Sequence, residues 1–213
     1  MTSQHRNETQ VIEAPLTGGP SADAQVIAQL FTKARTHKAF LDKPVTEETL
    51  RRLYDIAKFA PSASNPCPMR IVFGTSEKVR RKVTDAAAPG NRPKIESAPV
   101  VAIFAHDSRF NQHIGALAPH MDAAAYAAQD EARLEQVAIE NSWLQAGFLI
   151  TAARALGLDC GPMSGFDKAA IDDAFFSGSS WRADFLMNIG YGDVDQLHPR
   201  GHRLEFDEAC RII

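Results

Sequence analysis

Between Asp130 and Leu156 the chain runs for about seven helical turns without a proline, and Gly157 stands where a left-handed cap would end the run. A helix of that length is stable only when other elements cover much of its surface, so it reads as the central helix of the fold. Ala146, Gly147, Ala152 and Ala153 leave little side chain on part of it. Small residues serve close packing inside a chain and close approach of a second subunit equally well, and both readings stay open.

The segments around this helix carry shorter signals. Ser21 to Lys33 has the pattern of a helix capped by Ser21, with Ala24, Ile27, Ala28, Leu30 and Phe31 as its apolar stripe. Thr46 is an N-cap candidate followed by Glu47 and Glu48, with Leu50, Leu53, Tyr54 and Ala57 as the buried face and an end near Pro61. Ile71, Val72 and Phe73 suit a short strand, and Ser76 caps a third helix to about Ala87. Pro99 to Ala105 is nearly all apolar, as in a strand covered on both faces. Asp167 caps a helix to Phe176, and Phe185 to Tyr191 reads as a further strand. His106 to Asp130 lacks periodicity and is expected to be a mobile lid or binding loop. Helices and strands do not alternate regularly, which predicts an α+β fold with an antiparallel or mixed sheet. The expected organisation is one domain over 21–213 behind a loose tail, 1–20, rich in Gln, Asn, Thr, Gly and Pro.

Several function classes drop out. A formal net charge of -3 offers no basic excess for nucleic acid or anionic lipid. No apolar stretch near the N-terminus matches a signal peptide, so a cytoplasmic protein is expected. Cys67, Cys160 and Cys210 are widely spaced and odd in number, as free thiols would be. The dinucleotide fingerprint GxGxxG is missing, as are GxxxxGK[ST], HExxH and GxSxG. The seven histidines form no metal signature; His106 with Asp107, and His113 with His120, read as solvated loop residues, and no metal is expected.

Three ordered stretches remain. They are Arg35-Thr36-His37-Lys38-Ala39-Phe40, the turn Ala60-Pro61-Ser62-Ala63-Ser64-Asn65-Pro66-Cys67-Pro68, and Leu156 to Phe166 with Gly161-Pro162-Met163-Ser164-Gly165 at its end. With Asn188-Ile189-Gly190-Tyr191-Gly192 and Arg203 following, the set resembles the nitroreductase family from about Phe31 to the C-terminus.

That resemblance implies a three-layer α-β-α sandwich in a domain-intertwined homodimer, with FMN at the subunit interface. It implies phosphate and ribityl contacts from Arg35, Thr36 and His37, and a second phosphate contact from Arg203, with Arg200 a less favoured substitute. Ser62 and Asn65 would reach the flavin, commonly from the opposite subunit. Pro162, Met163, Ser164 and Gly165 would lie against the ring near N5, where a backbone free of bulky side chains can bond to it. The flavin would carry hydride from NADH or NADPH to an acceptor, so no catalytic side chain is required.

Two departures stand out: Cys67 and Met69 occupy positions where many members have Gln and Trp, and His37 replaces the usual second arginine. Both suit the branch of malonic semialdehyde reductases, which the chain also resembles at Asn65 to Phe73, Gly161 to Asp167 and Asp172 to Phe176. A broad nitro or quinone reductase and a flavin-binding protein without turnover are the alternatives. The proton donor and carboxylate-binding group are not legible; His113, His120 and Lys94 are candidates.

Overall fold

A computed structural model describes residues 22–213. The tail over 1–20 and the cap assigned to Ser21 lie outside the described residues. From Ala24 the order is α1 (Ala24–Ile27, continued by a π turn Ala28–Thr32), α2 (Glu47–Ala57), β1 (Met69–Gly74), α3 (Glu77–Ala86), α4 (Arg92–Ser97) and β2 (Val100–Asp107). Then come α5 (Ile114–Leu117), α6 (Ala123–Ala127), α7 (Glu131–Ala155), β3 (Asp159–Met163), α8 (Lys168–Ile171, continued by a π turn Asp172–Phe176), β4 (Trp181–Gly190) and α9 (Phe206–Ala209).

Local chemistry sets many of these boundaries. The side chains of Asp23, Thr46, Ser76, Asp130 and Asp167 each accept a backbone N–H in the first turn of the helix that follows. Gly157 closes α7 at φ +73°, where a Cβ would be strained.

The four strands form one antiparallel sheet in the order β1-β2-β4-β3. Its two faces are apolar, which makes three layers. On one face Val100, Ala102, Phe104, Phe185, Met187 and Ile189 meet Leu50, Leu53 and Ala57 of α2 and Ala146, Leu149, Ala152 and Ala153 of α7. On the other, Val101, Ile103, Ala105 and Leu186 meet Val83, Ile95, Ile171 and Phe176 from α3, α4, α8 and its π turn. The alternation along β2 is the period-2 geometry of a strand buried on both sides. Complete burial of Phe104 alone is worth about 1.5–3 kcal/mol.

The pairing of β2 with β4 slips between Phe104↔Phe185 and Ala105↔Ala183, leaving Asp184 as a bulged extra residue. The bulge carries Ala183 to the α3–α8 face and turns Asp184 toward His106. Buried polar residues of α7 serve the sheet and the turn beside it: Ser142 Oγ donates to Ala105 O, and Gln145 Oε1 accepts from Met69 N.

Three expectations need correction, and one reading left open is decided residue by residue. The segment 106–130 is not irregular: short helices at Phe110–His113, α5 and α6 bury Phe110, Ile114, Ala118 and Tyr126 against Leu134, Val137 and Ala138 of α7. His106 and Asp107 are not solvated loop residues but buried members of β2. Tyr54 is 47% exposed, and α1 and its π turn bury no residue within one chain. Ala146, Ala152 and Ala153 pack on the sheet, whereas Gly147 faces outward beside Trp143, Leu144 and Phe148.

Candidate functional site

The edge of β3 gathers the first, third and last of the ordered stretches. Thr36 bridges Cys160 in parallel, and His37 N donates to Cys160 O at 3.1 Å. Phe40 bridges Gly192, and Leu41 N donates to Tyr191 O at 2.8 Å. Such close approach needs glycine. A Cβ on Gly161 would lie 2.4 Å from His37 O, and one on Gly192 2.0 Å from His37 Nδ1.

His37, expected to reach phosphate or ribityl groups, turns inward. It is 4% exposed, its Nε2 stands 3.4 Å from Asp159 Oδ1, and its Nδ1 has no hydrogen-bond partner. The same Asp159 carboxylate accepts from Gly192 N at 2.9 Å, so His37 and Asp159 fasten this segment to the end of β4.

Arg35 and Thr36 line a cavity of about 400 Å³, joined there by Lys38, Arg154, Arg200 and Arg203. The arginines are steadied by carbonyls. Arg35 Nη2 donates to His198 O, Arg200 Nη2 to Thr32 O at 3.0 Å and Ala34 O at 2.9 Å, and Arg154 Nη1 to Leu30 O at 2.8 Å. Arg203 Nη1 reaches Gly201 O and His202 O. Each guanidinium has five N–H donors, so each keeps free ones for an anion. Five cationic side chains around one hollow fit a phosphate. Sequence reasoning passed over Lys38 and Arg154. Lys38 adjoins the recognised motif, but Arg154 lies in the last turn of α7, where a cation is ordinary.

The loop Pro162–Gly165 ends β3 and does not line that cavity. It is held from behind: Ala88 N donates to Gly165 O at 3.0 Å, Asp167 N donates to Ala86 O at 2.8 Å, and Ala87 bridges Phe166.

Ser62 and Asn65 stand apart from the cavity as well, on a turn with three left-handed residues, Ser64 (φ 60°), Asn65 (φ 58°) and Cys67 (φ 44°). Non-glycine residues hold such angles only when their surroundings impose them. Ala63 N donates to Asn141 Oδ1 at 2.7 Å, Asn65 Nδ2 to Leu117 O at 2.8 Å, and Cys67 N to Ser62 Oγ at 3.4 Å. Asn141 was not legible as a support, since a polar residue inside a helix gives no sign of its partner.

Behind this turn lies a buried charged cluster. Burial draws the His106 pKa down, but hydrogen bonds and charges from Asp184 and Glu135, each 2.8 Å away, outweigh it and raise the value above 6.5. Burial likewise pushes Asp107 up, and bonds from Ser180 and the Arg109 N–H with the charge of Arg70 bring it below 3.8. His113 and His120 are exposed, with His113 Nε2 4.0 Å from Asp107. Lys94 Nζ donates to Asn91 Oδ1 at 2.8 Å. The cysteines are free, and burial pushes the Cys160 thiol up to about 12.

Comparison with known proteins bears on the family and the fold. The model of the "Nitroreductase family" matches residues 32–191. A Ralstonia nicotianae protein named "Putative NADH dehydrogenase/NAD(P)H nitroreductase" is 45% identical over 194 residues, covering 91% of this chain and all (100%) of that one. The solved nitroreductase family protein of Streptococcus pneumoniae superposes with a TM-score of 0.76 at 26% identity, over 88% of this chain and 100% of that one. An Exiguobacterium sibiricum protein solved in complex with FMN gives 0.77 at 20% identity, over 92% and 99%. Sequence match and fold together make this chain a member of the nitroreductase family.

Proposed function

We propose that the chain is a homodimeric, FMN-dependent NAD(P)H oxidoreductase. The observation that carries this reading is the cavity formed by Arg35, Lys38, Arg154, Arg200 and Arg203 in a chain whose net charge is -3. So dense a set of cations calls for a multiply charged anion, and a flavin phosphate of about two negative charges matches it. Arg35 and Arg203 hold the phosphate, with Thr36 offering a hydroxyl. Pro162, Met163, Ser164 and Gly165 present main-chain groups to the ring. When bound, FMN supplies hydride transfer between a nicotinamide and an acceptor.

Ser62 and Asn65 serve the site of the partner subunit. Support for the dimer comes from the exposed apolar face of α7, with Ile139, Trp143, Leu144 and Phe148, and from Val26, Ile27 and Phe31 near the start. Exposed large apolar side chains of this kind are what a subunit interface would cover. Among the described residues no helix is long and apolar enough to cross a membrane.

The acceptor in this reading is malonic semialdehyde, whose aldehyde carbon takes the hydride and whose oxygen takes a proton to give 3-hydroxypropanoate. Its support is the likeness at Arg35 to His37, Asn65 to Phe73 and Gly161 to Asp167. A second reading, broad reduction of nitro compounds and quinones, draws on the names of relatives such as the Ralstonia protein. Anaerobic addition of NADH or NADPH to the purified protein tests the redox reading: the flavin band should bleach, and a band that persists leaves a flavin-binding protein without turnover. A substrate panel then separates the acceptors, because reduction of quinones far faster than malonic semialdehyde excludes the specific assignment.

A further inference from the structure

We infer that Asn91 is the positioning residue for the loop Pro162–Gly165, holding it from behind at Gly165 O while the main-chain groups that precede that carbonyl face the flavin, an inference that rests on the FMN reading above. Asn91 ends the short 3-10 turn Pro89–Asn91 that runs directly into α4. Here its side chain makes no capping bond. Its Nδ2 instead donates to Gly165 O at 2.9 Å, while its Oδ1 accepts from Lys94 Nζ at 2.8 Å. The Lys94 ammonium can only donate, so it fixes the amide with nitrogen toward Gly165.

The relay continues into the sheet. Lys94 O accepts from Nδ2 of Asn188, which is fully buried on β4 and paired with Gly161 of β3. One chain of polar contacts therefore ties the loop at Gly165 to the sheet from which that loop departs. Gly165 O takes a second bond from Ala88 N at 3.0 Å, so both of its lone pairs are engaged and the Gly165–Phe166 peptide plane, which anchors the end of the loop, is fixed. The fit is tight as well. A Cβ on Gly165 would lie 2.9 Å from Asn91 Nδ2 and 3.3 Å from Ala88 Cβ.

Misplacing a reacting geometry by about 1 Å can cost about 100-fold in rate, so a residue that touches neither cofactor nor substrate can still govern hydride transfer. Asn91→Ala removes the donor. Asn91→Asp keeps the shape and the Lys94 contact but sets a carboxylate oxygen against Gly165 O. Both variants should retain wild-type FMN content and melting temperature, because the phosphate grip at Arg35 and Arg203 is untouched. Both should be reduced by NADH or NADPH about tenfold or more slowly, with little change in the KM for the nicotinamide and a displaced flavin midpoint potential and visible band. Potential and spectrum are properties a merely structural asparagine would leave alone. If Asn91→Ala does not fold, Asn91→Asp and Lys94→Met carry the test, Lys94→Met slowing reduction by freeing the amide to turn. Wild-type rates and potentials in the folded variants overturn the inference while the FMN reading stands. A wild-type protein that binds no FMN overturns that reading first.

Discussion

Arg70 Nη2 stands 2.7 Å from Asp107 Oδ2, a diagonal contact across the paired strands β1 and β2. The other terminal nitrogen of Arg70 donates to Cys67 O at 2.9 Å. The ion pair thus braces the strained turn that presents Asn65. Asp107 is also fixed by Ser180 Oγ at 2.6 Å and Arg109 N at 2.9 Å. Replacing Arg70 by methionine leaves that buried carboxylate without its countercharge and should cost about 3 kcal/mol of stability, read from urea unfolding.

Acid should act through the same residue. The Asp107 pKa lies below its ordinary 3.8, so its ionisation stabilises the fold above that value, and the contribution is lost as pH falls through the lowered one. Asp107→Asn should flatten the fall in stability below about pH 4. An unchanged acid limb in that variant contradicts the assignment.

His106 works in the opposite direction. Its pKa is raised, so its stabilising contribution is complete below 6.5 and disappears as pH rises through the higher folded value. His106→Gln retains a hydrogen-bonding side chain without the charge. Its stability should no longer fall as pH rises above 6.5, as measured by melting temperature against pH.

Gly161→Ala should be among the most damaging small changes in the protein. The new Cβ would meet a backbone oxygen, His37 O, at 2.4 Å, so the strand edge or the Arg35–His37 segment must move. Flavin binding should weaken more than tenfold, whereas Gly115→Ala in α5, whose Cβ would meet only Ala123 Cβ at 3.8 Å, should be neutral or slightly stabilising. Equilibrium titration of the flavin-free proteins with FMN compares the two.

Phe148→Glu addresses the proposed subunit contact. It places a charge on the exposed apolar face of α7, where Phe148 is 45% exposed in one chain. The dimer should dissociate in light scattering at micromolar concentration, with flavin content falling in parallel. A variant that remains dimeric removes this face from the interface.

The parts legible in the sequence were those whose cause is local. Thr46, Ser76, Asp130 and Asp167 signal their helices through capping chemistry within three residues, and Gly157 ends α7 by its own backbone freedom. The alternating faces of β2 show up as an unbroken apolar run. β3 was hidden because Gly161 and Pro162 depress strand propensity, though an edge strand tolerates both. The helices between Phe110 and Ala127 were hidden because each is a turn or so long and only their shared cluster makes them stable. Within the candidate site, Arg35, Thr36 and Arg203 of the expected set line one cavity. The inward turn of His37 was not readable, since it depends on Asp159 and Gly192 far along the chain.

The proposed phosphate grip is the most direct target for substitution. Arg35→Ala and Arg203→Ala should each lose about 1.5–3 kcal/mol of FMN affinity, and Lys38→Ala a comparable amount. Unchanged flavin content in all three places the phosphate elsewhere.

One measurement bears on all of this: the visible spectrum of the freshly purified protein, with the chromophore released by denaturation and identified. The account predicts a yellow dimer that yields one FMN per chain. A colourless protein that takes up no FMN when supplied with it contradicts the account.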